Sequence, residues 1–263
     1  MRIPHVKLHG AKNDFILTFV EDAPQSDLSA IAVAICNRYT GVGADGWMLV
    51  DPTAGPGYDA SIRLFNSDGS EPELSGNGTR CAGALLLRDQ NSGDIRIRTG
   101  AGIKHLRLIG REGPEYWFEM DMGHVRVVEL NSVVQGRDAI IVDVGNPQCA
   151  MPVKDFNFDW RAVGKTVEND LRFPKRTNVS FIRQVDRHTI DVRFWERGAG
   201  ETNSSGTGST GAAMAAMARG LVQSPVTVVT PAGPLEIRFD ETVFLSGPAE
   251  FISEGAYFYG GKE

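Results

Sequence analysis

Two serines, Ser75 and Ser205, open the same short pattern about half the chain apart. Ser75-Gly76-Asn77-Gly78-Thr79 leads into small and apolar residues over 81–87. Ser205-Gly206-Thr207-Gly208-Ser209 leads into a similar run over 211–217. A serine followed by glycines and an apolar run is how a helix begins, because the hydroxyl accepts an N–H that the first turn leaves unpaired. The other unpaired N–H groups at such an end favour an anion. Facing each other, the two ends would form one cleft with an anion site and a hydroxyl on each side. Their recurrence at a fixed offset points to duplication.

The rest of the composition narrows the field by exclusion. With 41% hydrophobic and 23% charged residues in 263, the chain has the balance of an ordinary globular protein, either one large domain or two small ones. A net charge of −6 argues against a nucleic-acid partner. No apolar run approaches the length of a membrane span, and the first ten residues lack the apolar core of a signal peptide. Cys36, Cys81 and Cys149 are odd in number and far apart, as expected of reduced thiols in a cytoplasmic protein. With no CxxC or HExxH and five scattered histidines, no metal is expected. The glycine-rich stretches match neither a dinucleotide fingerprint nor a P-loop, so no nucleotide cofactor is expected either.

Positioning these serines takes many short strands. Alternation and turn residues predict strands over 16–20, 47–50, 61–65, 95–99, 103–109, 115–120, 125–130, 139–144, 179–184, 189–195, 226–230, 235–239 and 242–245. A helix capped by Ser26 should bury Leu28, Ile31 and Ile35, and another is expected over 160–171. The helices after Ser75 and Ser205 should run to about 89 and 220. Both are apolar on every side and so should be buried on every side. The fold class is therefore α/β, more closely α+β. It is expected to comprise two lobes, 1–122 and 123–263, related by a pseudo-two-fold axis. Each lobe would be a curled mixed or antiparallel sheet around its own apolar helix, with the site in the cleft between them. The last residues are expected to pack back on the first lobe.

The motifs, taken in order, resemble those of the diaminopimelate epimerase family. His9-Gly10-Ala11-Lys12-Asn13-Asp14-Phe15 is similar to HGxGNDF, with Lys12 in place of a glycine. Residues 41–46 match GxGADG, and 65–71 match FNxDGSE. Gly145-Asn146-Pro147-Gln148 resembles GNPH, 177–179 match TNV, and 196–202 match ERGxGET. The resemblance implies a two-lobed racemase fold that needs no pyridoxal phosphate or other cofactor. In it, one thiolate removes the proton beside a carboxylate while a thiol on the opposite face supplies another. It also implies a cytoplasmic homodimer acting on a small amino acid, the interconversion of LL- and meso-diaminopimelate for lysine and cell-wall precursors.

The family's two cysteines fall on Ser75 and Ser205, its histidine falls on Gln148, and its glutamate is kept as Glu196. The resemblance makes these four the catalytic positions. It gives Gly76, Asn77, Gly206 and Thr207 to the reacting carboxylate, where negative charge grows as the proton leaves. Asn13, Asn66, Asn146, Asn178 and Arg197 go to the substrate's ammonium and its distal end. A serine hydroxyl is a far weaker acid than a thiol and needs an adjacent base. Glu196 could serve Ser205, whereas Ser75 has no obvious partner, so two-base catalysis should be severely weakened. Lys12 and Gln148 also depart from the pattern, which favours natural divergence over an inactivating replacement. Cys81, deep in its helix, should be a buried, inert thiol.

Blander readings stand beside these. The serines could be caps alone, Glu196 part of a surface ion pair, and the asparagines turn formers. Two other functions also stay open: a related isomerase or dehydratase of the proline racemase group, and a non-catalytic amino-acid-binding homologue.

Overall fold

A computed structural model describes residues 1–90 and 93–260; the last three residues of the expected second lobe lie outside them. The chain divides into two compact units. The first comprises Met1–Met120 together with the residues from Gly247 onward, and the second is Asp121–Ser246.

In the first unit the strands are β1 (Arg2–Gly10), β2 (Asn13–Phe19), β3 (Gly46–Asp51), β4 (Ala60–Asn66), β5 (Gly93–Thr99), β6 (Gly102–Glu112) and β7 (Glu115–Gly123). They neighbour one another in chain order. The last strand of the chain, Val243–Phe258, then pairs with both β7 and β1 and closes a barrel. Two pairs are parallel, β2 with β3 and β4 with β5, so the sheet is mixed as expected.

Helix α2 (Gly76–Leu86) packs against β1, β2, β4 and β5. It is buried from Asn77 through Leu85, matching its lack of a polar face. Small residues let the barrel wall come close. A Cβ on Gly78 would lie 2.7 Å from the Met48 methyl, closer than packed carbons approach. Helix α1 (Leu28–Cys36) lies on β3 and β4, and its Ile31 and Ile35 join Trp47, Leu49 and Phe65 in a core cluster. Its cap is Asp27, not Ser26. The Asp27 carboxylate accepts the Ala30 N–H at 3.1 Å, so the helix starts one residue later than the sequence reading placed it.

In the second unit the strands are β8 (Arg126–Val134), β9 (Arg137–Asp143), β10 (Pro147–Pro152), β11 (Asn178–Gln184), β12 (Thr189–Glu196), β13 (Gly200–Thr202), β14 (Val226–Thr230), β15 (Gly233–Phe239) and the first residues of β16 (Val243–Phe258). The sheet order is β8-β9-β10-β11-β12-β14-β15-β16, with β13 paired to β12. Helix α4 (Gly206–Ala218) contacts β8 through β12, β14 and β15, so this sheet curls around it as the other does around α2. Helix α3 (Trp160–Glu168) packs on β11, β12 and β13 through Trp160 and Val167.

Several expected boundaries shift. Helix α3 stops at Glu168, short of 171, because Asp170 starts a turn in which its carbonyl accepts the Phe173 N–H at 2.8 Å. Helices α2 and α4 end at Leu86 and Ala218. β1, β10 and β13 are additional to the expected strands, and β16 runs on to Phe258. β1 and the end of β16 carry proline, histidine, glycine or glutamate at positions where alternation would call for apolar residues. Their pairing is settled by partners on both sides of each strand. Among the described residues, no helix is long and apolar enough to cross a membrane.

Candidate functional site

Both serines cap their helices, and they do so with the same geometry. Ser75 is extended (φ −131°, ψ 116°) and its Oγ accepts the Gly78 N–H at 3.1 Å. Ser205 is extended (φ −139°, ψ 122°) and its Oγ accepts the Gly208 N–H at 3.1 Å. In each helix the first backbone bond comes from the residue after that glycine. Thr79 N–H reaches the Ser75 carbonyl at 2.8 Å, and Ser209 N–H reaches the Ser205 carbonyl at 2.9 Å. The N–H groups of Gly76 and Asn77, and of Gly206 and Thr207, precede those bonds and are the ones a helix start leaves for an anion.

In the first unit, Arg80 fixes what stands beside Ser75. It is fully buried, and the acceptors of its guanidinium are neutral: Asn77 Oδ1 at 2.6 Å, Pro248 O at 3.2 Å and Gly76 O at 3.4 Å. An arginine can only donate, so Asn77 must accept with its oxygen and donate with its nitrogen, to Asn13 Oδ1 at 3.3 Å. Asn13 in turn donates to Asp45 Oδ2 at 2.6 Å. The Asn77 side chain is therefore committed to the protein, and its backbone N–H is what it offers a ligand.

Asp45 and Asp14 are bridged by Arg38 at 2.8 Å each, and Lys7 lies 3.1 Å from Asp14. This network ties the HGAKNDF and GVGADG segments together. Asn66 sits in the next turn, donating to Ser70 Oγ at 2.9 Å, while Ser67 N–H donates to the Asp45 carbonyl at 3.0 Å. Lys12 and Ala11 both have positive φ, 60° and 50°, where the β1–β2 hairpin reverses between Gly10 and Asn13. The glycine expected at position 12 suits that conformation better than lysine does.

In the second unit, topology gathers the motifs. β10 and β11 are parallel and begin level with each other, Gln148 opposite Asn178. β12 runs antiparallel to β11 and so ends where they begin. Glu196 closes β12 and is half-buried there. Its Oε2 accepts the Ser205 hydroxyl at 2.9 Å and its Oε1 accepts the Thr202 hydroxyl at 2.6 Å. Burial pushes the Glu196 pKa up, and the two hydroxyl bonds pull it part of the way back.

Gln148 is fully buried, and its side chain packs where a Cβ on Gly211 would come within 2.9 Å of its Cγ. Its amide nitrogen donates to Asn146 Oδ1 at 2.7 Å, Asn146 reaches Thr207 Oγ1 at 3.4 Å, and Gln148 Oε1 has no partner among the described residues. Asn178 is occupied at both ends. It accepts the Arg197 N–H at 3.0 Å and donates to the Pro147 carbonyl at 3.1 Å. Arg197 is exposed, with one guanidinium nitrogen 3.1 Å from the Lys175 carbonyl.

The two serines thus differ in what surrounds them. Ser205 has a carboxylate to take its proton. For Ser75 Oγ, the Gly78 N–H is the hydrogen-bond partner among the described residues. None of the thiols substitutes. Cys36, Cys81 and Cys149 are all buried, and burial pushes each up to about 12. Among the described residues, no group of three or more histidine, cysteine, aspartate or glutamate side chains is placed to hold a metal ion.

Sequence reasoning did not single out Arg80, Thr202, Asp45 or Glu168. A lone arginine in an otherwise small and apolar helix was the available signal for Arg80, and Thr202 ends the ERGAGET segment. Glu168 had no such signal. It is buried at the end of α3, where it accepts from Gly198 N–H at 2.8 Å, Trp195 Nε1 at 2.8 Å and Arg176 Nη1 at 2.9 Å.

Comparison with known proteins agrees with the motif order. The family profile described as diaminopimelate epimerase matches residues 5–128 and 140–252. Diaminopimelate epimerase of Pelotomaculum thermopropionicum is 38% identical, covering 96% of this chain and 98% of its own. That of Microcystis aeruginosa is 36% identical, covering 98% and 99%. Among solved structures, a PhzF-family phenazine biosynthesis protein of Bacillus anthracis superposes with a TM-score of 0.72 at 15% identity, over 98% of this chain and 100% of that one. A hydroxyproline epimerase of Agrobacterium vitis, with trans-4-hydroxy-L-proline bound, gives 0.71 at 13% identity, over 97% and 90%. At such identities the structural likeness speaks for the fold.

Proposed function

Because the chain belongs to the diaminopimelate epimerase family, we propose that it binds diaminopimelate and moves the proton on a carbon beside one of its carboxylates, without pyridoxal phosphate. The observation that carries this reading is the 2.9 Å hydrogen bond from Ser205 to Glu196 at the start of α4. It couples a hydroxyl at an anion-favouring helix end to a carboxylate whose affinity for a proton is raised.

The reacting carboxylate would be held by the N–H groups of Gly76 and Asn77 and of Gly206 and Thr207. As the proton leaves, charge moves onto the carboxylate oxygens, and N–H groups already aimed there stabilise it without reorganising. Arg197 and the asparagines at 13, 66, 146 and 178 would serve the ammonium and the distal end. Because Asn77 and Asn178 are tied up internally, their side chains set the positions of backbone groups more than they touch a ligand.

The reading calls for Ser75 and Ser205 to address one carbon from two sides. Where the family resemblance implies a pair of thiols, this chain has hydroxyls, and an alkoxide is scarce at neutral pH. Interconversion of the LL and meso forms should therefore run well below a two-thiol enzyme. The reading extends to a homodimer in the cytoplasm serving lysine and cell-wall precursor synthesis.

Isothermal titration with LL- and meso-diaminopimelate, and with lysine, which lacks the distal carboxylate, tests the substrate. Both isomers should bind, and lysine should bind roughly tenfold or more weakly, as expected for loss of a charge-assisted contact. No heat and no rise in melting temperature with either isomer would overturn the assignment.

A further inference from the structure

The two helix starts match in backbone geometry but not in proton chemistry. Around Ser205 a complete relay is in place. Its oxygen accepts from Gly208 N–H at 3.1 Å and its hydrogen goes to Glu196 Oε2 at 2.9 Å, with Thr202 holding the other carboxylate oxygen at 2.6 Å. The serine oxygen keeps a lone pair for an incoming proton.

Around Ser75 the charged neighbour is Arg80, one turn along the helix. Its hydrogen bonds go to Gly76, Asn77 and Pro248, and a guanidinium does not act as a base. Cys81 follows it and is fully buried. Gln148, where the family resemblance implies a histidine, belongs to the second unit and is a carboxamide, which does not serve as a base at neutral pH. Among the described residues, Glu196 is the one carboxylate hydrogen-bonded to a helix-start serine; Glu73, two residues before Ser75, lines the same cavity as that serine but is not hydrogen-bonded to it.

We propose that this chain works the α-proton from one side only, through Ser205 and Glu196. It would exchange that proton with solvent and return it with retention rather than inverting the carbon. The inference rests on the substrate reading above. In the step, the Cα–H bond breaks and its hydrogen bonds to Ser205 Oγ, while the original Oγ–H proton passes to Glu196 Oε2. The electron pair of the C–H bond enters the Cα–carboxylate system, giving an enediolate held by helix N–H groups. Glu196, now neutral, and the Ser205 hydroxyl, which now carries the substrate's hydrogen, both trade their protons with water, and the same steps in reverse then return a solvent proton to the face it came from. Inversion would need a proton donor on the other face that could later be recharged. Ser75 can lend a hydrogen bond, but among the described residues no base is hydrogen-bonded to its Oγ to restore it after each turnover.

Incubating the unmodified protein with LL- and with meso-diaminopimelate in deuterium oxide tests the proposal. The α-proton resonance is followed by NMR and the isomers are separated by chiral chromatography. Deuterium should enter centres of one configuration only, and the starting isomer should be recovered deuterated, with inversion at least about tenfold slower than exchange. Glu196→Gln should lower exchange by roughly 10²-fold or more, the usual worth of a general base, while titration still detects binding. Glu196→Asp should recover part of it. If Glu196→Gln does not fold, Ser205→Ala makes the same test by removing the relay atom.

Inversion at the rate of exchange would overturn the one-sided mechanism and leave the substrate reading standing. Binding without exchange at either configuration would overturn the Ser205–Glu196 relay and leave a binding protein. Absence of binding by every isomer would overturn the substrate reading and this proposal with it.

Discussion

Replacing Glu168 by alanine should cost about 3–5 kcal/mol, the range seen when one partner of a buried, hydrogen-bonded charge is removed. The magnitude follows from its three donors. Gly198 N–H and Trp195 Nε1, each at 2.8 Å, would lose bonds to a charged acceptor, worth about 1.5–3 kcal/mol each. Arg176 is half-exposed and can turn to water, so its share is about 1 kcal/mol or less. The carboxylate's own desolvation cost disappears with it, which brings the sum down to the stated range. Glu168→Gln keeps one good acceptor. With its oxygen toward Gly198 and Arg176, its amide nitrogen meets Trp195 donor to donor, so about half the loss should remain. Urea unfolding followed by tryptophan fluorescence measures both variants, as a shift in midpoint at unchanged slope. Gly198 closes the turn carrying Arg197, so the weakened variants should also bind diaminopimelate less tightly. A loss below about 1 kcal/mol for alanine, or equal losses for alanine and glutamine, would refute this account of the network.

Ser75→Cys with Ser205→Cys should raise α-proton exchange by orders of magnitude, and adding Gln148→His should raise it further and bring inversion. Single replacements should give little inversion, since residues that act as a unit are strongly non-additive, whereas Ser205→Cys alone can raise exchange on its own face. NMR in deuterium oxide with chiral separation reads the series, and equal gains in inversion from each single change would count against it. Glu196→Gln should stabilise the fold at neutral pH. The half-buried carboxyl has its pKa raised above its ordinary 4.5 in the folded state by desolvation. The wild type therefore loses stability as pH rises from that value through the raised one, and the glutamine variant does not. Its advantage should grow over that window and level off above it; an advantage that shrinks with rising pH would refute the sign. Lys12→Gly should add about 0.5–1 kcal/mol by relieving the positive φ, read as a higher melting temperature; a drop would mean that the lysine side chain contributes more than the turn costs. A thiol reagent should find no reactive cysteine in the native protein and three after denaturation; fast labelling in the native state would contradict the burial of all three.

The sequence by itself determined the two helices and their caps. Serine, glycine and an all-round apolar run act through local hydrogen bonding and burial, and neither depends on a distant partner. It also determined the family, because the order of short motifs survives where any single one would be ambiguous. That the bland and sharp readings of Ser75 and Ser205 are compatible could be seen only in three dimensions: each hydroxyl oxygen accepts a cap bond and still has a hydrogen to give. That Glu196 could serve Ser205 was already legible in the family resemblance; tertiary structure supplied the contact itself. Glu196 reaches Ser205 because β12 ends where α4 begins, and Thr202 joins them through the short β13 hairpin. It decided β1 and the long end of β16 as well, since strands paired on both sides are held by their neighbours rather than by their own alternation. Arg80 and Glu168 complete the contrast. A buried charge is tolerable only where acceptors or donors converge on it from other parts of the chain. Pro248, Arg176 and Gly198 come together with these charges through the fold and not through spacing in the sequence.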